Sequence, residues 1–411
     1  MAAVHGNAKQ NTAPVRGNPP EHGEKASITR KIRKKFRIFS IRSGMDMPFL
    51  FLTLTLLIIG LVMLFSASYA NAYYLHGSSY FFISRQAFFA VLGVIAMIAV
   101  SYFDYHHLHK FAIPILVFSY LTLVLVLFTP RINGVHRWIS LGPLGQFQPS
   151  ELAKFGLILA FAHLISLNFK RMSTFRYGVL PYILILGAAA GLLVLEPHVS
   201  ATVIIVFLAG VMLFIGGVRL RWFGIAFGGA GAAVAYLVLF TQKFSYANDR
   251  IVAWLNPFTT ESKELMADTW QTRQSLYAIG SGGLLGLGLG QSRQKYLYLP
   301  EPQNDFIFAI VCEELGFIGA LIIIILFAML VWRGVTISLK AKDKFGMLLG
   351  IGLVVQVGLQ VVLNIAVVTN TIPNTGISLP FFSYGGTSLD ILLAEMGVVL
   401  SISRTSAIEK T

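Results

Sequence analysis

The chain has 411 residues, 55% hydrophobic and only 12% charged, with a mean hydropathy of +0.71 and a formal charge of +14. Soluble domains carry roughly a quarter charged residues, so this composition excludes an ordinary water-soluble globule. Its apolar runs are unbroken and close to the ~20 residues that cross a bilayer core as helix, which favours a helix bundle over a barrel of alternating strands.

Residues 1–47 come first and hold ten of the 32 Lys and Arg, seven of them between Arg30 and Arg42. Basic charge packed beside a first apolar run reads as contact with anionic headgroups and as a topology signal, not as a nucleic-acid site. The segment is expected to be a disordered cytoplasmic tail. It is not a cleavable leader, because the apolar stretch starts only near Pro48, runs a full span and lacks a cleavage site.

Ten spans are then expected, at 48–70, 87–103, 111–129, 151–168, 178–196, 199–217, 223–241, 306–332, 345–368 and 388–403. With the N-terminus inside, the cytoplasmic loops are 104–110, 169–177, 218–222 and 333–344, with a tail at 404–411. Those loops and both tails hold 22 Lys and Arg against ten outside, the asymmetry that fixes orientation. The fold class is therefore an all-α integral membrane protein with a ten-helix domain over 48–403 and both termini cytoplasmic. A long extracytoplasmic loop, 242–305, joins helices 7 and 8. A loop of that length in an otherwise economical chain is usually functional. The lone Cys312 cannot form an intrachain disulfide, and no Cys/His set has zinc spacing.

Chemistry on an outer-leaflet substrate must choose among Glu151, Glu196, Asp249, Glu261, Glu264, Asp268, Glu301 and Asp305. Asp305 stands where the long loop meets an apolar helix. Partial desolvation there would raise its pKa and make it a proton acceptor near neutral pH; helix capping is an equal reading. Glu313 and Glu314, further along that helix, and Asp390 and Glu395 in the last span need a partner or a cavity. The string Gly280, Gly282, Gly283, Gly286, Gly288, Gly290 lacks dinucleotide spacing and reads as close packing of a re-entrant or amphipathic segment. Arg273, Arg293 and Lys295 flank it, suited to pyrophosphate or to lipid headgroups. His106, His107 and His109 read as solvated loop residues.

Three outer segments together resemble the SEDS family of cell-wall proteins, the FtsW, RodA and SpoVE type. They are Gly134-Val-His-Arg137-Trp-Ile-Ser-Leu-Gly-Pro143 with Gln148-Pro-Ser-Glu151-Leu-Ala-Lys154; Gln274 to Gly283 with Gly288 to Lys295 and Leu299-Pro-Glu301-Pro-Gln-Asn-Asp305-Phe-Ile-Phe308; and Ile377-Ser-Leu-Pro-Phe-Phe-Ser383-Tyr-Gly-Gly-Thr-Ser388. The Arg293 to Lys295 stretch looks most similar to the division and sporulation branch. The resemblance covers nearly everything beyond the N-terminal tail.

It implies a peptidoglycan glycosyltransferase that polymerises lipid II, the undecaprenyl-pyrophosphate-linked disaccharide-peptide, outside the cytoplasmic membrane of a bacterium, for cell division. Asp305 matches the family's essential aspartate and would be the general base. Cations stabilising the pyrophosphate would be Arg137, Lys154, Arg273, Arg293 and Lys295, in falling order of motif support, with Glu151, Glu301 and Ser383 completing the substrate contacts. A divalent cation, Mg2+ or Mn2+, is compatible with this chemistry. The implied partners are a class B penicillin-binding protein, a transpeptidase, and other divisome or sporulation proteins. Competing readings are a lipid II flippase and a non-catalytic scaffold. Clustering of the motifs on one face favours surface chemistry. The chain departs from the family pattern at Asn304, where Thr is common, at Asn374, and in Glu196-Pro197-His198, which replaces a common Gln-Pro-Asp; at Gln303 the family has His or Gln.

Overall fold

The computed structural model describes residues 44–131, 135–142, 145–226, 228, 254–258 and 263–405. Residues 1–43 of the expected tail 1–47, most of span 223–241, residues 242–253 and 259–262 of loop 242–305, and most of the tail 404–411 lie outside the described residues.

Helices α1 (Met47–His76), α2 (Phe81–Tyr102) and α3 (His106–Val126) lead into a short hairpin, β1 (Ile139–Ser140) and β2 (Gln146–Phe147). Then come α4 (Pro149–Asn168), the short α5 (Phe175–Gly178), α6 (Leu180–Leu195), α7 (Val199–Ile215), α8 (Lys263–Gly282), α9 (Ile307–Leu339), α10 (Lys344–Val368) and α11 (Gly386–Thr405). Eight described helices are long and apolar enough to cross a membrane, and α7 is a shorter apolar one. Large apolar side chains such as Phe51, Ile58, Phe88, Val91, Ile95 and Ile322 stand exposed on the outside of the bundle. Water would not tolerate that many, whereas lipid tails match them.

Small residues let the helices approach. Gly93 and Gly397 seat α2 against α11, where an added Cβ would collide with Leu393 or with the Met97 backbone. The glycine string does related work. α9 is broken at Gly316, whose φ of 68° lies in the left-handed region. Across the break, Leu287 and Gly288 donate N–H to the Glu313 and Glu314 carbonyls at 2.9 and 3.0 Å. In return, Phe317 and Ile318 donate to the Gly283 and Leu284 carbonyls at 2.9 and 3.1 Å. The loop after α8 thus restores the main-chain pairing that the kink interrupts, which burial demands.

One end of the bundle is laced by charge. Asp46 caps α1 through the Phe49 N–H at 3.0 Å and takes a two-pronged pair from Arg333, at 3.0 and 2.7 Å. Asp343 caps α10 through the Gly346 N–H at 2.8 Å and accepts from Tyr105. His106 is exposed, as expected of a solvated residue, but it opens α3 rather than lying in a loop, and it is 2.6 Å from Asp104 and 3.1 Å from Asp343. His109 likewise meets His163, Nδ1 to Nδ1, at 2.9 Å. Asp104 is only two residues from His106, whereas Asp343 and, for His109, the His163 imidazole are brought in from distant parts of the chain. The other end of the bundle holds the cavity.

Candidate active site

A cavity of about 780 Å³ opens between the C-terminal turns of α1, the start of α2, the hairpin, the first turns of α4 and α7, and the two segments before α9 and α11. Each wall has a local cause. The hairpin pairs Ile139 with Phe147 and closes through the Leu141 N–H on the Gly145 carbonyl at 2.8 Å. That turn sets Arg137 and Trp138 before it and Gln148 after it on the cavity. Thr387 ties the hairpin to the start of α11 by donating to the Gln146 carbonyl at 2.7 Å. α4 begins with Pro149 at its first helical position, suited to an N–H-free start. Its first turn carries Glu151, three residues before Lys154, and the two form an ion pair at 2.8 Å. Lys154 is only 2% exposed.

The turn before α9 is latched by the segment before α11. The Ser383 hydroxyl donates to the Asn304 carbonyl at 2.6 Å and accepts from the Leu379 N–H at 2.8 Å. Tyr384 N–H reaches the Gln303 carbonyl at 2.9 Å, and Asn71 donates to the Gln303 side chain at 3.2 Å. Gln86 holds the other side through the Gly385 N–H at 3.1 Å. Asn364 donates to the main-chain carbonyls of Asp305 at 2.8 Å and Ile377 at 2.6 Å. Asn374 fits this frame too, bonding Gln271 at 3.1 Å and the Gly376 N–H at 3.2 Å.

Asp305 is not a helix cap. Phe306 occupies the position before α9 and no side chain caps that end. The carboxylate instead lines the cavity, beside Gly376, where an added Cβ would stand 3.1 Å from its Oδ2. Burial pushes its pKa up to about 6, the Glu301 carboxylate adds to the rise, and the Arg137 guanidinium opposes it. A carboxylate poised there is half-ionised near pH 6 and basic enough to take a proton from a hydroxyl as it reacts.

Arg137, Glu151, Lys154, Glu301, Asp305 and Ser383 therefore share one cavity. Arg273, Arg293 and Lys295 do not line it. Arg273 is buried, donating to the Pro257 carbonyl and to Thr269, both at 3.1 Å. Arg293 is exposed. Lys295 is fully buried, paired with Glu314 at 2.7 Å, with Ser66 at 3.3 Å and Tyr69 beneath it. The ammonium that pyrophosphate would need is occupied by Glu314. Glu313 is satisfied separately by Ser292 and the Arg293 N–H. Sequence reasoning left out Asn71 and Gln360 as cavity residues and Gln86 as the support of the Ser383–Gly385 segment, and it treated His198 only as a departure. Among the described residues no three His, Cys, Asp or Glu gather as a metal site, so the side chains present do not by themselves assemble a cage for the divalent cation.

The family model for FtsW, RodA and SpoVE, described as "Cell cycle protein", matches residues 47–408. The chain belongs to this family. It is 41% identical over 369 residues to Stage V sporulation protein E of Bacillus subtilis (strain 168), covering 89% of this chain and 98% of that one. It is 38% identical over 367 residues to a protein of Geobacter sp. (strain M18) named "Probable peptidoglycan glycosyltransferase FtsW", covering 88% and 97%. Among solved structures, it matches a chain from a peptidoglycan synthase complex that coordinates polymerization and crosslinking, with a TM-score of 0.72, 28% identity and 88% and 98% coverage. It also matches the rod shape determining protein RodA of Thermus thermophilus, with a TM-score of 0.62, 28% identity and 89% and 98% coverage. The likeness spans the whole membrane domain, so this member of the FtsW/RodA/SpoVE family is a multi-pass membrane protein whose relatives carry a glycosyltransferase name.

Proposed function

We propose that this protein polymerises lipid II into glycan strands at the outer face of the cytoplasmic membrane, with Asp305 as general base. The observation that carries the reading is the Asp305 carboxylate lining one cavity with the cationic side chains of Arg137 and Lys154. The acceptor sugar's 4-hydroxyl oxygen attacks the donor's anomeric carbon. The carbon–oxygen bond to pyrophosphate breaks and its electron pair leaves with the pyrophosphate. The hydroxyl proton passes to Asp305. A single displacement inverts the anomeric centre. Negative charge grows on the leaving group, and Arg137 and Lys154 stand where they could stabilise it.

In this reading both termini are cytoplasmic. The basic tail 1–47 meets the inner leaflet, the short tail 404–411 lies on the same side, and 242–305 is the large outer loop. The partner is a class B penicillin-binding protein in the division machinery. The charge-laced end with Asp46, Arg333 and Asp343 faces the cytoplasm.

The test supplies lipid II to the purified protein with its transpeptidase and compares wild type with Asp305→Ala and Asp305→Asn. Glycan polymer from wild type and none from either variant, with folding and partner binding retained, is expected. Undiminished polymer from Asp305→Ala would remove the base. Translocation of lipid II across vesicles by a wild type that makes no polymer would instead favour a flippase.

A further inference from the structure

The turn Glu196-Pro197-His198 joins α6 to α7 and places His198 at the start of α7, on the cavity wall with Arg137, Lys154 and Ser200. The imidazole is 6% exposed. Its Nδ1 is buried and has no hydrogen-bond partner among the described residues. A buried polar atom without a partner is unfavourable and rare in folded chains. Its position on a substrate-sized cavity supplies the reason: the partner arrives with the ligand.

We propose that His198 is a substrate-binding residue that hydrogen-bonds, as a neutral imidazole, to an uncharged polar group of the lipid-linked sugar. This rests on the lipid II reading given above and extends it from the reacting atoms to the sugar beside them. The charges around His198 decide its state. Burial first, and then the nearby Arg137 and Lys154 charges, push its pKa down to about 3. Glu151 is engaged by Lys154. Glu196 does not draw a proton onto the ring either. Both its oxygens are buried without a hydrogen-bond partner among the described residues, and burial, opposed by Arg137, pushes its pKa up to about 8, leaving it mostly protonated at pH 7.

A neutral imidazole offers one N–H and one lone pair. That pairing suits a sugar hydroxyl, which donates and accepts, or an acetamido group. Phosphate oxygens only accept, and the two neighbouring cations suit them better. The cavity thus divides its work: cations for the pyrophosphate and His198 for the sugar.

The experiment measures lipid II polymerisation by wild type, His198→Gln and His198→Ala between pH 6 and pH 8, with Asp305→Ala alongside. Binding of fluorescent lipid II to each protein in detergent is measured in parallel. Gln keeps a neutral donor and acceptor, so His198→Gln should hold KM within about threefold of wild type, whereas His198→Ala should raise KM and Kd about tenfold with kcat little changed. Both variants should melt where wild type does. Unchanged KM and Kd in His198→Ala would overturn the proposal, as would His198→Gln being as impaired as His198→Ala. A wild-type KM that climbs steeply through the imidazole range and flattens in His198→Gln would mean a charged ring on phosphate, and would equally overturn it. Should wild type make no polymer, the polymerase reading fails by itself, and the binding constants still decide the role of His198.

Discussion

The rate of polymerisation should follow the ionisation of Asp305, and the structure says where and why. A general base works only when deprotonated, so kcat/KM should rise with pH through about 6, where burial and Glu301 place the carboxyl. About a tenth of the maximal rate is expected at pH 5, about half at pH 6 and about nine-tenths at pH 7. Glu301 is exposed and lies four residues earlier in the same turn, holding Asn304 at 2.9 Å. Replacing it by Gln removes a repelling charge, so the acid limb should move toward lower pH. Arg137→Gln removes an attracting charge and should move the limb the other way while lowering the plateau. The assay is initial polymer formation from labelled lipid II in buffers of constant ionic strength. Stability runs separately. A carboxyl whose folded pKa lies above its ordinary 3.8 favours the fold fully below that value, and this contribution is lost as pH rises toward 6. Asp305→Asn should therefore melt no lower than wild type at pH 7, so its inactivity cannot be blamed on unfolding. A rate independent of pH from 5 to 8, or a limb that neither neighbour's variant moves, would refute the reasoning.

Three further outcomes follow from the geometry. Gly376→Ala should abolish most polymerisation, because its φ of +69° strains an L residue by about 1 kcal/mol and the new methyl would press on the Asp305 Oδ2 at 3.1 Å; the readout is polymer per folded protein. Lys295→Ala should cost roughly 3–5 kcal/mol by stranding the buried Glu314 charge, seen as a lower melting temperature in detergent, and Lys295→Met with Glu314→Gln should recover much of it. Ser383→Ala removes the hydrogen bonds to Asn304 and Leu379, a loss of about 1–2 kcal/mol, and should lower kcat more than it raises KM.

Membrane helices were the most legible part of the chain, because each apolar run must satisfy its own main chain in lipid. The expected span 345–368 nearly coincides with α10, and 48–70 falls within α1, which runs on to His76. Boundaries drifted where a helix leaves the bilayer without a composition change, as α9 does in continuing to Leu339. The gathering of Arg137, Glu151, Lys154, Glu301, Asp305 and Ser383 was legible through the motifs, though not the latch of Ser383 on the turn before Asp305. Lys295 was harder. Its neighbours in sequence suggested phosphate, but direction depends on the kink at Gly316, which brings Glu314 to it. The available signal was the Glu313-Glu314 doublet in an apolar span, which had to find a cation or donors nearby. His198 gave almost no signal, since a lone imidazole between two spans acquires meaning only once Arg137 and Lys154 are folded beside it.

Everything catalytic requires Asp305 to face the compartment where lipid-linked sugars are joined. The direct measurement is labelling of Glu301→Cys, an exposed position in the same turn, by a membrane-impermeant maleimide in intact cells, against the native Cys312, which is buried. The account predicts full labelling without permeabilisation. Labelling that appears only after the membrane is opened would contradict it.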